Sequence, residues 1–479
     1  MQNGKNQHFQ RLVDAGSPVG EILSVNKFLV IARGLQPVSP HSLVIFENGS
    51  KGFVQYVLEE EVQILHLGSS SLRSGMLAAV QSPQLKTKVG KDFIGRVVSV
   101  NGDPLDGKGP IAADGEWPIF NTAPPIYARE LLNKQLETGV TLIDALFPIA
   151  RGQRLALLGD SKSGKTTLAT QIAINQKNTD QVVIYVLVAK RESDIDGLLA
   201  RLKENGAAEK TIVVVSMIFE SLVNSYLAPY VGCALGEYLW QVVGQDVLVI
   251  YDDLTTHAQA SREIALTAGV SPGRDSYPGD IFFTHSSLLE RAGKLKKNHN
   301  SLTAIPLVLA SGGDITEYLP TNVMSITDGQ WILDMDVFRE GLRPAINVGL
   351  SVTRVGGRGH NDRQKDQNQK TMQVLSAYTQ ARQFSQFGTE LALATQKDII
   401  RGRHFNNLFT QVPGETYSLL AQQMMLDILL ETDPSLGLNV SVLKEQANQA
   451  AALIKADSDY DTVKESLKDQ VVIAKGGKV

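Results

Sequence analysis

The chain has 479 residues, 43% hydrophobic and 20% charged, with a formal net charge of -4, which is enough for about two to four soluble domains with ample core. The acidic balance excludes a protein that holds polyanions through bulk positive charge. Cys233 is the only cysteine, so an intrachain disulfide and a cysteine metal cluster are excluded, and a small buried apolar role is expected for it.

The first residues, 1–8, are polar and carry neither the apolar core of a signal peptide nor an Arg/Ser-rich amphipathic transit segment. No run of about 18 apolar residues is free of charge, so no membrane-spanning helix is expected and any attachment to a membrane must come through other subunits. Short apolar runs at 20–25, 28–32, 42–46, 52–57 and 62–67 are separated by turn residues such as Glu47-Asn48-Gly49. That spacing predicts a small barrel or sandwich. The Gly-, Pro- and Asp-rich stretch 101–110 and Ala123-Pro124-Pro125 read as surface connection.

From about residue 150 apolar runs rich in β-branched residues, at 154–158, 182–188, 211–215, 247–251, 302–308 and 323–326, alternate with helical patterns. Near-continuous apolar strands with intervening helices predict a mainly parallel sheet covered on both faces. Helical periodicity then dominates at 371–387, 389–404, 415–431, 440–455 and 461–474, and the polar residues 475–479 are expected to fray. The plan is a short arm at 1–17, a β-barrel at 18–82, an α/β P-loop nucleotide-binding domain at 83–369 and a C-terminal α-helical domain at 370–479.

The sharpest motif is Gly159-Asp160-Ser161-Lys162-Ser163-Gly164-Lys165-Thr166, followed by Thr167. An apolar run enters it and a helical run leaves it, which is the context the pattern requires. Glycines let the backbone wrap phosphates with its N–H groups inward, and the helix N-terminus adds partial positive charge. Lys165 is expected to reach the β- and γ-phosphates of ATP or ADP, and the Thr166 hydroxyl to ligate Mg²⁺. A second metal anchor is expected from an aspartate ending a buried strand about 80–90 residues further on. Asp252 is the preferred candidate and Asp253 the second choice.

Hydrolysis also needs a group that orients or deprotonates the attacking water. The run 182–188 leads into Ala189-Lys190-Arg191-Glu192. Its first polar positions are cations, unsuited to that work while protonated, and Glu192 reads as a solvated loop charge. Nucleotide binding without efficient chemistry is therefore expected of this chain's own site.

Several stretches resemble the alpha subunit of F-type ATP synthases: Gly95-Arg-Val-Val-Ser-Val100, Glu137-Thr-Gly-Val-Thr-Leu-Ile-Asp144, Tyr226-Leu-Ala-Pro-Tyr-Val-Gly-Cys-Ala-Leu-Gly-Glu-Tyr238, Pro272-Gly-Arg-Asp-Ser-Tyr-Pro-Gly-Asp280, and Leu350-Ser-Val-Thr-Arg-Val-Gly-Gly357 among others in the same order. The resemblance implies a barrel, a RecA-like nucleotide domain and a helical domain. It implies a ring alternating with beta subunits around gamma, delta and epsilon stalk subunits. The ring would be peripheral on the cytoplasmic side of a plasma or inner membrane and coupled to proton or sodium transport through a membrane sector, with no nucleic acid partner. It implies a noncatalytic Mg-ATP site in this chain. Lys190 stands where beta has a glutamate and typical alpha subunits a glutamine.

The same resemblance gives Arg354 a catalytic role in trans at the neighbouring beta site, with Ser351 and Ser325 as interface positions. Arg343 and Pro344 match residues beside the adenine. Gln411 is a weaker candidate for that base, because 409–416 does not align cleanly. Only about 17 residues precede the expected barrel, so delta docking is expected to be altered or weakened; normal one-to-one delta capture through residues 1–17 in a pull-down would contradict this. The competing readings are a self-sufficient hexameric ATPase of protein-export, flagellar or beta type, and an RNA translocase.

Overall fold

The computed structural model describes residues 3–68, 70–386 and 393–473. The expected start of the 389–404 helix and the polar residues 475–479 lie outside them. The chain divides into two compact units: residues 1–130, 180–309 and 315–327, and residues 131–179, 310–314 and 328–479.

In the first unit, strands Val19–Asn26, Leu29–Arg33, Glu61–His66, Lys51–Val57, Leu43–Phe46 and Leu77–Ser82 lie side by side in that order and close into a barrel. Alternating side chains face its centre, so Ile22, Val30, Ala32, Phe46, Val54 and Ile64 make a dry core. Closure leaves these strands no exposed edge. The helix Asn3–Asp14 lays Phe9 against Ile45 and Ala79 on the barrel's outside.

The same unit holds parallel strands Ser301–Leu309, Val247–Asp252, Val182–Lys190, Thr211–Met217 and Val97–Ser99, neighbours in that order. Their residues are buried almost end to end, as expected for a sheet covered on both faces. One cover is the helix Leu222–Tyr238. From it Glu237 meets Arg291 at 2.7 Å with both side chains essentially inaccessible. Trp117 Nε1 and Asn121 Nδ2 each donate to Glu237 at 3.0 Å, and Arg291 also donates to the Ile119 carbonyl.

A second buried polar pair lies nearby in this unit. His257 Nε2 is 3.1 Å from the Tyr226 carbonyl, which can only accept, so that nitrogen carries the proton. Nδ1 is thereby left to accept from His285 Nε2–H at 3.2 Å. Burial pushes His257 down to about 4, and burial with the neighbouring ring pushes His285 down to about 3. Because both folded values lie below the ordinary 6.5, the stability these rings contribute is complete above pH 6.5 and is lost as pH falls toward 4 and 3. The thermal midpoint is therefore expected to be flat from about pH 8 to 7 and to fall steadily below about pH 6. A His257→Gln, His285→Phe double variant should show a shallower decline in the same scans.

In the second unit, strands Ala156–Gly159 and Gly329–Leu333 pair in parallel and Val352–Thr353 runs antiparallel to the latter. Trp331 is fully buried and donates to the Phe147 carbonyl at 2.9 Å. Helices Asp362–Gln386, Leu393–Phe409, Leu419–Glu431, Val440–Ala451 and Tyr460–Val471 form the C-terminal region. The helix Leu419–Glu431 is its core, burying Met424, Met425, Ile428 and Leu429. Asp144 ties this helix to the residues before the phosphate loop. It is 2% exposed and accepts from Thr138 N, Thr138 Oγ1, Gly139 N and Gln422 Nε2.

The first of these helices starts at Asp362, not at the expected 371. Asn361 and Gln364 exchange side-chain-to-backbone hydrogen bonds of 2.9 Å in each direction, a reciprocal cap that fixes the earlier start. The helix expected from 415 starts instead at Leu419, where the Ser418 hydroxyl accepts from Ala421 N–H.

Candidate functional site

The phosphate loop joins the buried strand Ala156–Gly159 to the helix Lys165–Asn175. Gly164 is its N-cap residue at φ 100, in the left-handed region that glycine tolerates. A Cβ on Gly159 would sit 2.6 Å from Ser163 Oγ and 2.9 Å from Leu333 Cβ, so the turn admits no side chain there. Lys162 also takes a left-handed φ of 60. Left-handed residues interleaved in the turn draw its N–H groups into a concave nest for an anion.

No side chain caps the helix N-terminus, so its first-turn N–H groups keep their affinity for an anion. Lys165 Nζ folds back on the loop, donating to the Gly159 and Asp160 carbonyls at 2.8 and 2.7 Å. Ser163 Oγ is buried and has no hydrogen-bond partner among the described residues. An unsatisfied buried hydroxyl costs about 1–3 kcal/mol, and a phosphate oxygen would satisfy it. These features fit a nucleotide phosphate chain. Lys165→Ala is expected to weaken ATP binding about 10- to 100-fold, the worth of a charge-assisted contact, in calorimetric titration of the whole chain.

Beside the loop, in the same unit, lies a cavity of 270 Å³ walled largely by Val140, Leu168, Phe338, Pro344 and Val412. Its size and apolar lining suit a flat heteroaromatic base. Arg343 and Pro344 line it as expected, with the Arg343 guanidinium stacked 3.3 Å from the Phe338 ring centre and donating to the Phe338 carbonyl. Gln411 lines it too, but its amide serves the backbone. Oε1 accepts from Thr141 N–H at 2.7 Å, and Nε2 donates to the Gly139 and Glu415 carbonyls. Gln411 therefore shapes the wall. Phe338 and Val412 were missed from sequence, although Phe338 stands only five residues before Arg343.

The expected metal anchor and the missing base belong to the first unit. Strand Val182–Lys190 pairs Leu187 with Asp252, and a register shift between Leu187 and Lys190, with Ala189 at a left-handed φ of 48, re-aims the strand's last residue. Lys190 Nζ thus lies 2.7 Å from Asp252 Oδ1 and 3.1 Å from Asp253 Oδ2. Tyr185 hydroxyl donates to Asp252 Oδ2 at 3.2 Å. Asp253 Oδ1 accepts from Thr256 N–H and caps the helix Leu254–Thr267. Burial works to lower the Lys190 pKa, but the two carboxylates outweigh it and hold the ammonium above its ordinary range.

Lys190 is therefore a fixed cation and cannot act as a base at neutral pH. Asp252, 1% exposed, has its carboxylate oxygens facing the Lys190 ammonium and the Tyr185 hydroxyl.

Arg354 is exposed in the second unit, following the strand Val352–Thr353, and its N–H donates to the Asp328 carbonyl. Thr353 Oγ1 braces this turn by donating to the Pro148 carbonyl and accepting from Gly356 N–H. Ser351 is buried, its hydroxyl accepting from Ile332 N–H at 3.0 Å, so it holds the strand that carries Arg354. Ser325, on the first unit, is exposed and donates to the Thr321 carbonyl.

Residues 139–353 match the model of the ATP synthase alpha/beta family, nucleotide-binding domain. ATP synthase subunit alpha 2 of Legionella pneumophila (strain Corby) is 40% identical over 406 residues, covering 82% of this chain and 78% of the relative. The chain belongs to the ATP synthase alpha subunit family. ATP synthase subunit alpha of Nitrosomonas europaea is 40% identical over 82% of this chain and 79% of its own length. That of Thiobacillus denitrificans is 37% identical over 94% and 90%.

As a family member the chain is a nucleotide-binding part of an ATPase complex that includes beta and other subunits and is peripheral to the membrane. No helix among the described residues is long and apolar enough to cross a membrane.

Proposed function

We propose that this chain is the noncatalytic alpha subunit of a rotary F-type ATP synthase. It holds ATP or ADP in the loop 159–166 and the adjoining cavity, and it supplies Arg354 to a neighbouring beta site. The observation that carries this reading is Lys190, an ammonium paired with Asp252 and Asp253 at the position where hydrolysis calls for a carboxylate. Lys165, Ser163 and the helix N-terminus hold the phosphates. Thr166, in the first turn, is the residue left to bear on a magnesium ion that the nucleotide brings with it.

Beta, gamma, delta and epsilon subunits complete the assembly, which sits on the cytoplasmic face of the membrane and is coupled to proton or sodium movement. In the test, the purified chain is assayed for ATPase alone and after assembly with a beta subunit. Negligible turnover alone and strong turnover with beta are expected. Robust turnover by the chain alone would favour a self-sufficient hexameric ATPase, and stimulation by RNA would favour a translocase.

A further inference from the structure

The cavity beside the phosphate loop lies wholly in the second unit, and the groups on its wall decide which bases it can tell apart. Adenine, hypoxanthine and guanine share one flat ring pair and differ in the donors and acceptors at its edge. A site separates them strongly only by placing its own donors or acceptors opposite those groups. Here both amides on the wall are turned to the backbone. Gln411 accepts from Thr141 N–H and donates to the Gly139 and Glu415 carbonyls. Gln171 Nε2 donates to the same Glu415 carbonyl at 2.7 Å. The Arg343 guanidinium lies on the Phe338 ring, with Nη1 donating to the Phe338 and Leu342 carbonyls. Neighbouring main-chain groups are paired as well. Gln411 N–H donates to the Arg343 carbonyl, and Val412 N–H to the Glu415 carboxylate. Pro344 and Pro413 have no N–H to give. The lining hydroxyls, Ser163 and Thr167, sit in the loop and the first turn of its helix, the end proposed above for the phosphates.

We propose that this cavity takes a purine by shape and stacking alone, so that GTP and inosine triphosphate (ITP) fill the chain nearly as well as ATP. The inference rests on the nucleotide-binding reading above and deepens it by naming the ligand class, purine nucleoside triphosphates. Val140, Leu168 and Phe338 offer apolar surface that any purine ring covers alike. Val412 is 62% exposed, so the cavity opens to water beside it, and a base can keep its polar edge hydrated there. The extra amino group of guanine then escapes the cost of burial without a partner. Apolar pockets separate ligands of equal shape only weakly, whereas sites that hydrogen-bond the differing group reach about 10⁴- to 10⁵-fold. Gln411 is a positioning residue in this scheme: its backbone contacts hold residues 139–141 against 411–415 and so set the width of the slot. A pyrimidine lacks the second ring and leaves part of the apolar wall uncovered.

The test is calorimetric titration of the full chain, freed of nucleotide, with ATP, GTP, ITP and UTP in one magnesium buffer. The Kd values for ATP, GTP and ITP are expected to agree within about tenfold, and UTP is expected to bind at least about tenfold more weakly than ATP. For Gln411→Met, which keeps the length of the side chain but not its amide, ATP and GTP are expected to weaken by the same factor, leaving their ratio within about threefold of the parent's. A preference for ATP over GTP or ITP beyond about tenfold would overturn the proposal and leave the nucleotide-binding reading standing. UTP binding as tightly as ATP would overturn it too, as would a Gln411→Met loss confined to ATP, which would show the amide reading the base. Should that variant fail to fold, the unmodified chain alone still decides through its own Kd ratios. Absence of binding by all of these nucleotides would instead overturn the nucleotide-binding reading itself, and the proposal with it.

Discussion

Arg354→Ala is expected to lower ATP turnover by the assembled alpha–beta ring about 10³- to 10⁵-fold, the range measured for arginines that act in trans on a transferring phosphoryl group. ATP binding by this chain alone should stay within about twofold, because the loop and cavity that hold the nucleotide do not include Arg354. The size of the effect follows from what the arginine does. Charge builds on the γ-phosphoryl oxygens in the transition state, and a guanidinium held in place beforehand stabilises it without reorganising. The backbone that carries this arginine is held firmly. The Arg354 N–H is tied to Asp328, whose carboxylate pairs with Arg154 at 2.9 Å, and Thr353 and Ser351 lock the flanking strand.

Arg354→Lys should recover little, since an ammonium lacks the planar fork that matches phosphate oxygens. Ser351→Ala should act differently. It leaves Ile332 N–H without its acceptor, so a loss of thermal stability is expected to accompany any loss of rate. Steady-state turnover of the assembled ring and thermal unfolding of the isolated chain separate the two cases.

The second large effect concerns stability. Arg291→Met is expected to destabilise the chain by about 3–5 kcal/mol, because it leaves Glu237, 0% exposed, without its ionic partner and, among the described residues, with two neutral donors. Because the entropy of unfolding grows with chain length, that corresponds to a fall of the thermal midpoint of about 3–5 °C. Replacing both partners, Arg291→Met with Glu237→Leu, should recover part of the loss, since no buried charge is then left unpaired. A single-variant loss below about 1 kcal/mol would show that solvent reaches the carboxylate.

The barrel, the covered sheet and the helical region were legible in sequence because each rests on local pattern, whereas the apolar run 323–326, expected as a strand, lies in the helix Tyr318–Ile326 just before the strand Gly329–Leu333. The glycine spacing specifies a backbone shape, strand alternation marks the barrel, and unbroken β-branched runs mark the covered sheet. Asp252 was legible as an acid ending a buried strand. What held it was not. The Lys190–Asp252 contact joins adjacent strands, and it depends on Ala189 taking a left-handed conformation that alanine seldom adopts. Nothing in residue type announces that turn.

The use of Gln411 was hidden for a related reason. Its amide reaches Thr141 and Gly139, some 270 residues earlier in the chain, and only the fold brings these backbone groups within its reach. The early start of the helix Asp362–Gln386 could have been read from Asn361 and Gln364, a polar pair at capping-box spacing.

The most direct measurement follows the fate of nucleotide bound to this chain during turnover. The alpha–beta–gamma assembly is prepared with γ-labelled ATP on its alpha chains, and unlabelled ATP is then added. If the chain's own site is noncatalytic, the label stays on intact ATP bound to alpha through many turnovers of the ring. Release of labelled phosphate from alpha at the rate of the ring's turnover would contradict it.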